Sequence, residues 1–274
     1  MAGISPEMTP IRYPVSLKVR PWWHDHRVGG RTVLPAVEAM SLLAAEATAR
    51  FTDVDVRSMR DAVFAHFLEI PAGATALEVV VELEALEDGS VHAGLLSRKS
   101  FRKMTRLLEH ARVHFSGPST AKGADLPTAS SADFTAEKSL VAEKVYSRYV
   151  PFGPACQSIR GTVEINRRQI RTIVQAPVNP RYACPVEDVL GSPFPLDGAM
   201  HAACVLGQQL VDFVPLPFGF TRRIVHRPTR FGEAYTARAE LLSRDDGRLF
   251  FDLRIQDEQR VYEEVSGLMM QKIL

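Results

Sequence analysis

HRVGGRTVLPAVEAMSLLAAEATAR, residues 26–50, begins with a histidine, passes two glycines and a proline, and continues as alanine-rich sequence with few polar side chains on one face. Paired glycines followed by proline mark a turn that feeds a helix. Alanine, leucine and methionine then favour the helix itself. Its apolar stripe predicts a segment from Pro35 onward that is buried against a sheet. A second stretch of the same kind, LDGAMHAACVLGQQLVDF, occupies residues 196–213. The two starts match: Pro35-x3-Ala39-Met40 recurs as Pro195-x3-Ala199-Met200. A repeated helix start in each half of a chain predicts two copies of one structural unit.

Strand-like sequence surrounds both helices. In the first half, LEVVVELEALEDGSVHAGLLS (77–97) and TRLLEHARVHF (105–115) read as extended segments joined by turns. In the second half, GTVEINRRQIRTIVQA (161–176), YTARAELLSRDDGRLFFDLRIQ (235–256) and RVYEEVSGLMMQKI (260–273) read likewise. Between them GPSTAKGADLPTASSADF (117–134) concentrates Gly, Pro, Ser, Thr and Ala without an apolar period, as a connector does. The expectation is an α+β chain of two halves, 1–116 and 135–274, joined by a linker at 117–134. Each half is read as an antiparallel sheet wrapped around one buried helix.

Composition removes several function classes. With 274 residues, 46% hydrophobic and 24% charged, the chain has material for a substantial core. A net charge of +1 supplies no general field for gathering nucleic acid or acidic lipid, so neither nucleic acid nor a membrane is an expected partner. No signal-like apolar region opens the sequence, and no run approaches the roughly 18 apolar residues of a membrane span. Cys156, Cys184 and Cys204 are odd in number and lack C-x2-C spacing, which fits a reducing cytoplasm better than a disulfide framework or zinc knuckle.

Two short patterns carry chemistry. His26 opens His-x3-Gly30-x4-Pro35, a pattern whose chance expectation from this composition is about 0.03 occurrences. Neutral imidazole accepts a proton near neutral pH. Nearby glycines let backbone N–H groups approach a substrate carbonyl, and the helix N-terminus adds positive dipole. On its own the pattern also fits a turn histidine with loop-shaping Gly29, Gly30 and Pro35. Asp197 starts the second helix, with His201 one turn later on the same face. Asp88 with His92 has the same spacing, but Asp197 differs in following the nonpolar SPFPL and entering an almost wholly apolar helix. It fits a helix cap as well as an active carboxyl.

With these residues in view, the chain resembles the dehydratase domains of modular polyketide synthases. That family has a His-x3-Gly-x4-Pro motif, a Gly-Tyr-Gly-Pro-like segment, an Asp-x3-Gln/His motif and a Leu-Pro-Phe segment, in that order. The counterparts here are HRVGGRTVLP from His26, YVPFGPACQ from Tyr149, LDGAMH from Leu196 and LPFGF from Leu216. The resemblance implies a double hotdog in which His26 faces Asp197 across one substrate tunnel. His26 would abstract the α-proton of a β-hydroxyacyl thioester, and Asp197 would protonate the departing hydroxyl. His201 would orient Asp197, while Gly30, Pro35, Phe152, Gly153 and Pro154 would position the substrate or its oxyanion. An apolar tunnel is expected to raise the Asp197 pKa. No metal or organic cofactor is implied, the substrate being carried on the phosphopantetheine of an acyl carrier protein. Other synthase components and a second copy in a homodimer are the remaining expected partners. The chain departs from the family at Phe152, where Tyr is usual, at Cys156, where Phe is usual, and at Ser192-Pro193, where His-Pro is usual.

Several features admit other uses. His24 and His26 share a face if their segment is a strand, which with Asp25 or Asp197 would suggest a metal site. RKSFRKMTR (98–106) fits an acidic carrier protein, the phosphate of its arm, or a solvated hairpin. Arg222, Arg223, Arg227 and Arg230 form a second basic candidate. Trp22 and Trp23 read as core or dimer contacts. A hotdog thioesterase, an enoyl isomerase and a catalytically silent carrier-binding module are the rival functions.

Overall fold

The computed structural model describes residues 9–101, 104–118, 134–177 and 185–273. The expected connector at 117–134 lies, apart from residues 117, 118 and 134, outside them. The first half contributes β1 (Ile11–Lys18), the short hairpin β2 (Arg27–Val28) and β3 (Arg31–Thr32), helix α1 (Ala36–Thr48), and β4 (Asp55–Val63), β5 (Ala76–Ala85), β6 (Val91–Phe101) and β7 (Met104–Ser116). The second contributes β8 (Lys138–Val141), the one-turn α2 (Ala142–Lys144), β9 (Ile159–Ile165), β10 (Gln169–Gln175), the short α3 (Glu187–Leu190), helix α4 (Phe194–Gly207), β11 (Leu216–Val225), β12 (Ala234–Asp245), β13 (Arg248–Gln256) and β14 (Val261–Gln271).

Each half is a sheet curled over a helix. α1 packs on β4 to β7 and α4 on β9, β10, β12 and β13. Every residue of α4 is buried. A helix apolar on all sides is stable only when enclosed, which explains why Ala202, Ala203, Val205 and Leu206 need no polar neighbours between them. Small residues permit the close fit: a Cβ on Gly198 would stand 2.8 Å from Val174 Cγ1 of β10. These two enclosed helices make the double hotdog.

The expectation of two separate sheets is corrected in one respect. Among the described residues, twelve strands form a single sheet ordered β1-β5-β6-β7-β4-β11-β14-β13-β12-β10-β9-β8. The halves join where β4 pairs antiparallel with β11, from Gly219 opposite Val63 to Ile224 opposite Ser58. Hydrogen-bonding groups on an open strand edge demand partners, and each half satisfies one such edge with the other. Gly219 lies at this seam, where a Cβ would stand 2.2 Å from the Ala62 carbonyl oxygen.

Beneath the seam lies a buried ion pair. Arg223 of β11 donates from Nε to Glu263 Oε1 of β14 at 2.5 Å, and its Nη1 stands 3.4 Å from Met59 Sδ of β4 and 3.9 Å from Met40 Sδ of α1. Arg223 is therefore part of the core and unavailable as the surface basic group expected from sequence. Trp22 and Trp23 are buried within the chain. No described helix is long and apolar enough to cross a membrane.

Candidate active site

His26 is held by three backbone devices. Residues Pro21–Asp25 form a 3-10 turn closed by His26 N–H donating to Trp23 O at 3.0 Å. His24 therefore lies in a turn, and the condition under which His24 and His26 would share a strand face is not met. Arg27–Val28 and Arg31–Thr32 then form a hairpin around Gly29 and Gly30, whose φ values of 56° and 78° suit a two-residue turn that L side chains resist. Finally, the Val33 carbonyl lies 3.1 Å from His26 Nδ1. A carbonyl only accepts, so Nδ1 bears the proton and Nε2 keeps the lone pair. The imidazole is thereby set up as a base.

The second half grips this turn through the segment around Phe152. Gly153 N–H donates to Asp25 O at 2.8 Å, Ala155 N–H donates to Asp25 Oδ2 at 2.8 Å, and Cys156 Sγ donates to Trp22 O at 3.4 Å. The approach is so close that a Cβ on Gly153 would stand 2.4 Å from Asp25 Cγ. Pro154 starts a 3-10 turn ending at Cys156. Phe152 is thus pressed between two imidazoles, its ring centroid 4.4 Å from that of His26 and 5.0 Å from that of His201. The expected hydroxyl at this position is absent, and a different phenol supplies one nearby. Tyr146 places its oxygen 3.4 Å from His201 Nδ1 while accepting from Ile159 N–H at 2.8 Å.

Asp197 and His201 face each other along α4, with Nε2 to Oδ2 at 3.2 Å but misaligned for a hydrogen bond. The start of α4 is fixed through Ser192, whose N–H donates to Thr229 O at 3.0 Å and whose carbonyl accepts from Thr229 Oγ1 at 3.0 Å. His26, Phe152, Asp197 and His201 line one cavity of about 790 Å³, open mouth included. Most of its wall is apolar: Val28, Leu34, Ala39, Phe64, Leu95, Met200 and Leu216 among others. Gly30, Pro35, Gly153 and Pro154 are not in this wall. Gly30 sits at the exposed tip of its hairpin, Pro35 caps α1, and the Gly153 N–H is already committed to Asp25. Ala36, at the α1 N-terminus where N–H groups have no partner within the helix, does line the cavity. His24 does not.

Electrostatics set His26 and Asp197 apart. Burial lowers the His26 pKa, outweighing the attraction of Asp197, so the imidazole is neutral at neutral pH. Burial alone would raise Asp197, as expected from sequence. The attraction of His201, and then of His26, prevails and holds the carboxyl below its ordinary value. Burial also pushes the Cys204 thiol up to about 12 and raises Cys156, so neither is a ready thiolate. Cys184 lies outside the described residues.

Sequence reasoning missed Glu38, buried on α1 and accepting from Trp22 Nε1 at 2.9 Å. It anchors the turn that carries His26. It also missed a second polar group in the cavity wall, His66 and His110. No local pattern marks any of these, because their partners come from other elements.

Burial has a consequence for acid stability. His26, His110 and His114 all have pKa values lowered from 6.5, with burial the largest cause. Below pH 6.5 the unfolded chain binds protons that the folded one resists, so stability falls as pH falls through that region. The melting temperature is expected to drop between pH 7.5 and 5.5, and less so in His110→Gln. A flat profile would contradict the assignment.

Comparison with known proteins agrees with this geometry. Residues 8–98, which include His26, match the family of the polyketide synthase dehydratase domain. A trans-AT polyketide synthase dehydratase domain from Brevibacillus brevis superposes with a TM-score of 0.77 at 16% identity, covering 99% of each chain. The dehydratase domain from the CurH module of curacin polyketide synthase gives 0.72 at 18% identity, over 97% of this chain and 93% of that one. A monomeric dehydratase domain from a trans-AT polyketide synthase split module gives 0.73 at 12%, over 96% and 99%. No curated protein matches in sequence. The chain is a double-hotdog protein, and its N-terminal region carries the polyketide synthase dehydratase family signature.

Proposed function

We propose that this chain removes water from a β-hydroxyacyl thioester on an acyl carrier protein, giving the 2-enoyl thioester in polyketide or related fatty-acid-like biosynthesis. The observation that carries this reading is the meeting of His26 from one half and Asp197 from the other in one largely apolar cavity. His26 Nε2 takes the proton from Cα. The α1 N-terminus at Ala36 favours the negative charge that develops on the thioester oxygen. Asp197 accepts the proton from the imidazolium and gives it to the β-hydroxyl, which leaves as water. The two imidazoles hold the Asp197 carboxyl ionised before reaction, so the proton it gives is the one it receives from His26 during the elimination. The proton lost from Cα ends in the water, and His26 and Asp197 return to their starting states.

His201 holds Asp197 in place, and Phe152 fixes the His26 ring by contact. The same reading takes other synthase components as partners, and a homodimer as the assembled form. The rival hotdog activities differ in product from one substrate. Incubation with a 3-hydroxyacyl thioester is expected to yield the conjugated enoyl thioester, followed by its ultraviolet absorbance and mass. Free acid as sole product would mean a thioesterase, a shifted double bond an isomerase, and no conversion a silent module.

A further inference from the structure

The cavity has a second polar group that the chemistry at His26 does not use. In β7, Ala111 pairs with Leu95 and Glu109 with Leu96, which leaves His110 as the extra residue of a β-bulge. Bulges re-aim side chains, and they are frequent beside active sites. This one turns His110 into the cavity next to Ala111. His110 Nδ1–H donates to His66 O at 3.1 Å, so Nε2 accepts from Ser97 Oγ at 2.7 Å. His66 in turn uses Nδ1–H on Glu109 O at 3.0 Å. Its Nε2 therefore keeps a lone pair at the exposed end of the cavity, able to accept from an amide N–H.

Two residues beyond Ser97 on the same face of β6 stands Lys99, directly opposite Arg106 of β7. Like charges paired across strands cost stability, and neither cation has an acidic partner among the described residues. Lys99 is close enough to His110 to add to the lowering of its pKa by burial. Two opposed cations, two residues along their strands from the Ser97 that binds cavity-lining His110, thus lack an anion among the described residues. We propose that Lys99 and Arg106 bind the phosphodiester of a phosphopantetheine arm, whose thioester end reaches His26 past His66. This rests on the dehydratase reading and adds a route of entry to it.

Two substrates identical except for the phosphate provide the test: the 3-hydroxyacyl thioesters of pantetheine and of 4′-phosphopantetheine. Wild-type protein is expected to favour the phosphorylated one through KM, by about fivefold or more for two partly solvated charge contacts. The Lys99→Ala/Arg106→Ala variant is expected to lose that difference, with kcat little changed. Equal turnover of both substrates by wild-type protein would overturn the proposal. So would a defect confined to carrier-protein-linked substrate, which would assign the two cations to an acidic protein surface. Calorimetric binding of 4′-phosphopantetheine against pantetheine separates the two readings without turnover. Lys99-dependent binding in a protein that converts neither substrate would sustain the phosphate site and defeat the dehydratase.

Discussion

Replacing His26 by alanine is expected to lower kcat for enoyl formation by about 100- to 10,000-fold, the range supplied by one positioned base. The fold should survive. Among the described residues the His26 side chain makes one hydrogen bond, to the Val33 carbonyl, and one ring contact, to Phe152, whereas the turn around it is held by backbone groups and by Asp25. His26→Gln retains a donor for Val33 without a basic lone pair, and should fail equally. Asp197→Asn, which cannot pass on a proton, should also collapse kcat. Circular dichroism and melting temperature would establish that these losses are chemical. Near-wild-type turnover in His26→Gln would remove the proposed base from the mechanism.

The second large effect concerns stability and the seam. Arg223→Met leaves Glu263 charged in a site where the two side chains are 4% and 2% exposed. Stranding one member of a buried pair costs about 3–5 kcal/mol, which for a protein of this size is roughly a 10 °C fall in melting temperature. Arg223→Met/Glu263→Met should recover most of it, since replacing both charges by apolar groups is often neutral or better. The decisive quantity is the difference between single and double variants in thermal melts. A double variant as unstable as the single would show that the pair does more than neutralise itself.

Arg223 also shows where sequence reading reached its limit. The two helices were legible because burial against a sheet demands a continuous apolar face, and that demand is written locally in 36–48 and 194–207. β5 to β7, β9, β10 and β12 to β14 were legible as extended segments between turns. β1, β4, β8 and β11 were not, and β4 and β11 are the strands that join the halves. In β4 the run Arg57-Ser-Met-Arg60-Asp61 breaks the alternation, with Asp61 at a φ of 49°. In β11 adjacent Arg222 and Arg223 point to opposite faces, one exposed and one buried, so a core residue reads as half of a surface patch. A charge inside the core can be recognised only through its distant partner, Glu263.

The site divided in the same way. His26 and Asp197 were legible because each stands at the mouth of a helix whose composition is otherwise uniform. Placing substrate contacts at Gly30 and Gly153 followed the motif, whereas the structure uses these residues to shape backbone. Tyr146 and His110 depend on a packing contact and a bulge that no spacing announces. The raised Asp197 pKa followed from burial alone, since the opposing pull of two imidazoles depends on distance.

The seam has a consequence for how such a chain can arise and be divided. Here β4 and β11 are each other's missing neighbour, and cutting between the halves would bare two strand edges, each a template for whatever strand is nearest. This pairing makes the two halves obligate complements, so neither the half that carries His26 nor the half that carries Asp197 is free to drift into a separate protein.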